Sequence, residues 1–168
     1  LAGEVDEPKM AIRLISELAK AAGPAGIITG QMADIKAEKT EGSQELLEYI
    51  HTNKTAKMFR CAARMGAIVG GVDESRFKCL CDYGLKIGLG FQIADDILDV
   101  CGESGHIGKT TGKDAAAAKC TYPRVMGLEK SRQLEKQLAD EAIALLAPFG
   151  ARAEALRQLA VALLERTR

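Results

Sequence analysis

The most informative stretch of the sequence is Phe91-Gln-Ile-Ala-Asp-Asp-Ile-Leu-Asp99, which sets three carboxylates among apolar residues. Residues four apart lie one turn from each other in a helix, which relates Asp95 to Asp99. Gln92 lies one turn before Asp96 on the same helix. We therefore expect a glutamine and three carboxylates, those of Asp95, Asp96 and Asp99, on one side of a mostly buried helix.

This concentration of negative charge predicts a magnesium site. Like charges one turn apart repel each other and weaken a helix, and partial burial strengthens the repulsion. Divalent cations offset such charge, and magnesium typically uses one or two carboxylates together with substrate phosphates and water. The alternative is a solvated acidic end of an amphipathic helix, which the apolar flanks disfavour. A magnesium-bridged diphosphate fits the cluster better.

A glycine-bearing basic segment, residues 102–122, follows the carboxylates. It contains Lys109, Lys113 and Lys119, and its glycines would let backbone amides approach a phosphate group. Lysines could contact the charge that remains on a metal-bound diphosphate. Taken alone, the segment is equally consistent with solvated surface lysines. Its position directly after the carboxylates favours a phosphate-binding loop.

Lys54 and Thr55 are two polar residues in a predicted helix that is otherwise rich in small residues. Taken alone, the pair is consistent with an exposed helix face. His51 by itself favours a structural role. Gln31 and Asp34 lie about one turn apart and could orient a lysine or an arginine, although such a pair alone is typical of a surface.

Bulk composition excludes some classes of function. The 168 residues include 23 basic and 23 acidic side chains, so the chain lacks the basic excess of a nucleic-acid binder. No apolar stretch is long enough for a membrane span, and no signal peptide is visible. The five cysteines are odd in number and have no CxxC spacing, which predicts reduced thiols. With only two histidines, a zinc site is not expected.

Abundant alanine, leucine, glutamate and lysine, with few alternating β-branched runs, predict an all-α protein. Glycines and prolines divide it into five or six helical segments. Ser43 is a suitable N-cap for one of them. The expected helices cover residues 9–22, 25–37, 44–70 with a bend in the middle, 74–100, 123–146 and 153–165.

Several of these motifs occur in an order that resembles the polyprenyl, or trans-isoprenyl, diphosphate synthase family, which includes farnesyl and geranylgeranyl diphosphate synthases. The resemblance extends from about Gly3 to Arg132. It is carried by Gly30-Gln31-Met-Ala-Asp34, Lys54-Thr55, Gly70-Gly71, Phe91-Gln92-Ile-Ala-Asp95-Asp96-Ile-Leu-Asp99, Gly108-Lys109 and Lys119-Cys-Thr-Tyr-Pro123.

The resemblance implies an antiparallel helical bundle of the isoprenoid synthase type around a deep cavity. It also implies a prenyltransferase that joins an allylic diphosphate to isopentenyl diphosphate with Mg²⁺. The implied roles are metal binding by Asp95, Asp96 and Asp99, with Asp95 as the direct ligand, diphosphate binding by Lys54, Lys109 and Lys119, and catalysis by Lys54, Thr55 and Gln92.

The chain departs from the family in lacking a first aspartate-rich motif, so we expect residues 1–168 to be the carboxyl-terminal portion of one synthase domain, missing its amino-terminal half. Alone, it is expected to be inactive, and the product chain length stays open. Alternatives are a half-site partner and a non-catalytic or regulatory helical subunit. The intact motifs disfavour the latter, and the lack of an Asn, Ser or Thr and Glu metal motif disfavours a terpene cyclase. We further expect a cytoplasmic homodimer.

Overall fold

A computed structural model of the protein describes residues 5–38, 40, 42–102 and 120–166. All regular structure in this part of the chain is helical, which confirms the predicted all-α bundle. The elements are α1 (Pro8–Ala22), α2 (Ile27–Ala37), α3 (Gln44–His51), a π turn (Thr52–Ala56), α4 (Lys57–Val69), α5 (Glu74–Gly102), α6 (Tyr122–Met126), α7 (Leu128–Leu145), a 3₁₀ segment (Ala147–Ala153) and α8 (Glu154–Glu165).

The long helix α5 is the centre of the bundle and packs along α4 and α7. The spacing of Gly84 and Gly88 predicts a close approach by a neighbouring helix, and the structure confirms it. A Cβ atom at Gly84 would lie 2.7 Å from Arg60 Cα, and one at Gly88 would lie 2.5 Å from Ala56 Cα. The two glycines therefore let the backbone of α5 contact that of α4 and the π turn.

Two apolar clusters hold α5 in place. They lie toward different parts of its length, so α5 is anchored beside both α3 and α8. One cluster contains Ala37, Leu47, Ile50, Ile93, Ile97, Cys120 and Tyr122. The other contains Tyr83, Ile87, Ala142, Leu146, Ala153, Ala160 and Leu163. The carboxylate motif lies at the first cluster, and its apolar residues Ile93 and Ile97 are fully buried.

The structure refines two of the predicted helices. The predicted bend in helix 44–70 is a π turn, and Ser43 caps its start by accepting a hydrogen bond from Leu46 N at 3.2 Å. The prediction of a single helix over 123–146 is wrong. Two helices, α6 and α7, are separated by Gly127, whose φ of 89° lies in the left-handed region that interrupts an α-helix.

Within the described ranges, no helix is both long enough and apolar enough to cross a membrane. All five cysteines are free thiols, and Cys61, Cys81 and Cys120 are buried. Burial raises the pKa values of Cys61 and Cys120, which favours the protonated thiol.

Candidate active site

The π turn Thr52–Ala56 carries two of the predicted site residues, Lys54 and Thr55. A π turn contains more residues than an α turn and occurs often at functional sites. Asn53, which is buried inside it, donates a hydrogen bond to the carbonyl of Tyr49 at 2.7 Å. Within this turn, the side chains of Lys54 and Thr55 contact two different helices, α2 and α5.

Helix α2 approaches the π turn at Gly30. A Cβ atom at this position would lie 2.2 Å from the backbone nitrogen of Lys54 and 2.6 Å from its Cα. Any side chain would therefore push α2 away. With Gly88 of α5 pressed against Ala56, the turn is held between two helices, which fixes the backbone from which Lys54 and Thr55 project.

Lys54 forms an ion pair with Asp34 of α2. The Nζ to Oδ2 distance is 2.6 Å, and the side chains are 30% and 20% exposed, so the pair lies at the surface of a partly open site. An ammonium has three N–H donors, and Asp34 accepts one. Lys54 is thus oriented by a carboxylate while it keeps donors for an anionic ligand.

Thr55 contacts α5 through a hydrogen bond with Gln92, another of the residues predicted to act in catalysis. The hydroxyl donates to Gln92 Oε1 across 2.8 Å, and both residues are partly buried. Gln92 lies one turn before the aspartates, on the same helix. This bond therefore places the π turn next to the carboxylate motif.

Asp95 lies on the side of α5 that faces Arg166, directly after α8. Its Oδ1 accepts a hydrogen bond from Arg166 Nη2 at 2.8 Å, and both side chains are more than a third exposed. The same guanidinium lies 4.9 Å from the centre of the Phe91 ring. Asp95 is thus an accessible carboxylate with a cationic partner.

Asp96 faces a different direction from Asp95 and is buried. It is 4% exposed, and its Oδ2 accepts a hydrogen bond from the backbone nitrogen of Tyr122 at 2.9 Å. His51 Nε2 lies 3.9 Å from the same oxygen. Burial raises the pKa of the Tyr122 hydroxyl to about 12. Asp96 therefore holds the start of α6 against α5.

These positions correct the expectation that all three aspartates share one side of the helix. Neighbouring residues in a helix are separated by about 100°, so Asp95 and Asp96 diverge. Asp99 is exposed one turn after Asp95. Within the described residues, no three His, Cys, Asp or Glu side chains are grouped closely enough to bind a metal ion. The predicted lysines Lys109 and Lys119 lie outside the described residues.

Two contacts of the site were missed by sequence reasoning. The spacing of Gln31 and Asp34 suggested that they orient a cation, but only the fold identifies that cation as Lys54. Nothing in the sequence indicated that Arg166 contacts Asp95, because 71 residues separate them. The described contacts thus join Lys54 to Asp34 and Thr55 to Gln92. Asp95 lies about one turn after Gln92 on α5 and pairs with Arg166.

Comparison with known proteins identifies relatives of this chain. The chain is 44% identical over 145 residues to geranylgeranyl pyrophosphate synthase 12 of Arabidopsis thaliana, which covers 84% of this chain and 40% of that protein. It is 45% identical over 142 residues to the heterodimeric geranylgeranyl pyrophosphate synthase large subunit 1 of the same plant, covering 83% and 38%. The chain thus spans well under half the length of these relatives.

Solved structures share the fold. A geranyltransferase from Helicobacter pylori, complexed with magnesium and isoprenyl diphosphate, is 35% identical with a TM-score of 0.77, covering 95% of this chain and 52% of that chain. An FPP/GFPP synthase from Zymomonas mobilis is 32% identical with a TM-score of 0.83, covering 97% and 54%. The polyprenyl synthetase family model matches residues 5–158. The chain therefore belongs to the polyprenyl synthetase family.

Proposed function

We propose that the complete polypeptide carrying this chain is a prenyltransferase that condenses isopentenyl diphosphate with an allylic prenyl diphosphate. One observation carries the proposal. The Thr55–Gln92 hydrogen bond joins the π turn, which carries Lys54, to the carboxylate helix, on which Asp95 follows Gln92 by about one turn. The family relationship and the described prenyl synthase structures support it.

The proposed reaction breaks the carbon–oxygen bond of the allylic diphosphate and leaves an allylic cation. The double bond of isopentenyl diphosphate then supplies the electron pair of the new carbon–carbon bond, and loss of a proton to the released diphosphate completes the step. Lys54 binds the departing diphosphate and stabilises its developing charge. The oxygens of Thr55 and Gln92 orient the allylic carbon atom on which the positive charge develops.

The accessible carboxylates fit magnesium. Asp95 and Asp99 offer hard oxygen donors on partly or fully exposed side chains one turn apart, which suits an ion that also binds substrate phosphates and water. When bound, magnesium would supply positive charge that neutralises the diphosphate. Asp96 fits the ligand role less well because its Oδ2 is committed to Tyr122 N in a buried position. We assign it to supporting the helix.

The remaining expectations concern the whole protein. The chain covers 40% of one named relative and 38% of the other and has one aspartate-rich motif, so we propose that catalysis needs further residues supplied by the same or another polypeptide. Homodimer formation and cytoplasmic location stay predictions. The named plant relatives are chloroplastic, and one is a subunit of a heterodimer. A non-catalytic subunit is not favoured by any described contact.

The test is a prenyl-transfer assay of the complete polypeptide with labelled isopentenyl diphosphate and allylic diphosphates of increasing length, with products identified by mass spectrometry. Lys54→Gln and Asp95→Asn are expected to lower kcat about 100-fold or more, since each removes a charge that stabilises the transition state. Lys36→Gln and Asp140→Asn change exposed residues of the same types and should keep nearly full activity.

Activity that survives both site substitutions would overturn the proposed roles. The absence of product from the folded wild-type protein with every allylic substrate would overturn the proposed reaction.

A further inference from the structure

A second cluster of charged residues lies between α1 and α4. The structure has a pocket of about 290 Å³ there, and none of Lys54, Thr55, Gln92 or Asp95 lines it. Its lining includes four cationic side chains and one carboxylate: Lys20, Lys57, Arg60, Arg64 and Glu17. Three positive charges are therefore uncompensated by the lining itself.

The carboxylate of Glu17 already accepts hydrogen bonds from Arg64. Arg64 donates from Nε and Nη2 to the two oxygens of Glu17, at 2.6 and 2.8 Å, and its guanidinium also lies 4.9 Å from the centre of the Phe77 ring. This bidentate bond lowers the pKa of Glu17 and raises that of Arg64, so both groups stay charged near neutral pH. Glu17 thus pairs mainly with Arg64 and attracts Lys20 more weakly, which leaves Lys57 and Arg60 without a carboxylate from the lining.

Two of the remaining cations, Lys57 and Arg60, have no carboxylate partner among the described residues. Lys57 Nζ donates to the carbonyl of Ala25 at 2.7 Å and to Asn53 Oδ1 at 2.6 Å. Arg60 Nε is buried and has no hydrogen-bond partner among the described residues. An unpartnered buried donor on a cationic group is costly, and gathering cations in one pocket adds repulsion. An anion in the pocket would relieve both.

We propose that this pocket binds a small phosphate-type anion, with the guanidinium of Arg60 as its principal contact and Lys57 and Lys20 as supporting charges. A guanidinium presents a planar fork of donors that matches phosphate oxygens, whereas lysines act as point charges. The pocket is at the lower limit of volumes that hold small molecules. Inorganic phosphate or diphosphate therefore fits the pocket better than a diphosphate that carries a long prenyl chain.

The site is independent of the proposed prenyl transfer, and the experiment separates the two. Isothermal titration of the complete polypeptide in EDTA, with inorganic phosphate and separately with diphosphate, removes metal-dependent binding at the carboxylate helix. We expect one binding event that weakens as salt is raised, because screening reduces the attraction. Comparison of the two titrations shows which anion the pocket prefers.

Arg60→Gln is expected to weaken this binding at least about tenfold, the typical effect of losing a hydrogen bond to a charged group. Lys20→Gln changes an exposed side chain and should weaken it less without affecting folding. Arg76→Gln is the matched control, because Arg76 is an exposed arginine paired with Asp73 outside the pocket. Failure of both anions to bind, or unchanged binding in both Arg60→Gln and Lys20→Gln, would overturn the proposal.

Discussion

The guanidinium of Arg166 lies 2.8 Å from Oδ1 of Asp95, so the last residue that the structure describes contacts the first aspartate of the carboxylate motif. The two residues lie on α5 and directly after α8, and the contact also covers one face of Phe91. A cation bound at Asp95 would have to displace or share this guanidinium. The end of α8 is therefore electrostatically coupled to the proposed metal ligand.

The first prediction concerns that coupling. Arg166→Gln should raise the affinity of the complete polypeptide for Mg²⁺ by up to about fivefold, since an exposed ion pair is worth at most about 1 kcal/mol. Titration with Mg²⁺ in the absence of substrate measures the change. Arg152→Gln, another exposed arginine, is the control. Weaker Mg²⁺ binding in Arg166→Gln would mean that the arginine orients Asp95 rather than competing for it.

The second prediction separates the two members of the Lys54–Asp34 pair. Lys54→Gln should weaken binding of the allylic diphosphate strongly because it removes the contact itself. Asp34→Asn should have a smaller effect, because the ammonium remains and only its orientation is lost. Substrate affinities of the two variants and of the double variant provide the measurement. Equal losses in the single variants would contradict the distinction between binding and positioning.

The third prediction uses two glycines as a matched pair. Gly88→Ala should destabilise the fold by about 1–3 kcal/mol, because its Cβ would lie 2.5 Å from Ala56 Cα and force α5 from the π turn. Gly66→Ala meets nothing within 4 Å on an exposed position of α4. It should stabilise the fold by about 0.5–1 kcal/mol through helix propensity. Urea denaturation measures both free energies, and similar values for the two would refute the close approach.

The fourth prediction is a pH dependence at Glu17. Its hydrogen bonds with Arg64 lower its pKa below the ordinary value of 4.5, so the unfolded chain binds this proton more readily. The resulting stabilisation is fully present above about pH 4.5 and is lost as the pH falls through the folded-state pKa.

Denaturation of wild type and Glu17→Gln at pH 7 and in acid measures this contribution. Glu17→Gln should be the less stable protein at pH 7, and the difference should shrink in acid. Glu165→Gln, at an exposed position of α8, should show no such trend. A difference that stays constant with pH would show that the carboxylate charge of Glu17 does not stabilise the fold.

The sequence predicted helices well where glycine or proline marks their ends, as at Gly70 and Gly71. It failed at Gly127, because an isolated glycine inside a helical pattern is often tolerated, and the pattern does not show that this one takes a φ of 89°. The resemblance gave Thr55 and Gln92 related roles, but only the fold shows that the two side chains are joined by a hydrogen bond. Long-range partners such as Arg166 could not be predicted, since local periodicity carries no information about them.

The carboxylate motif shows a more specific limit. Spacing alone grouped Asp95 with Asp96, but which of two adjacent carboxylates is buried depends on the elements that pack against each side of α5. The backbone amide of Tyr122 determines it for Asp96, and that amide is 26 residues away. Sequence identified the residue types of the site, while tertiary packing assigned them different tasks.

The π turn also makes the relative orientation of α3 and α4 sensitive to the number of residues between them. Successive residues of an α-helix are rotated by about 100°, so removing one residue from Thr52–Ala56 would allow a regular α-helix to form but would rotate everything on one side of it relative to the other. Either Lys54 and Thr55 would leave their partners or the pocket face of α4 would turn away from α1. A deletion here would rotate the proposed active site relative to the charged pocket, so the relative orientation of the two sites depends on one extra residue.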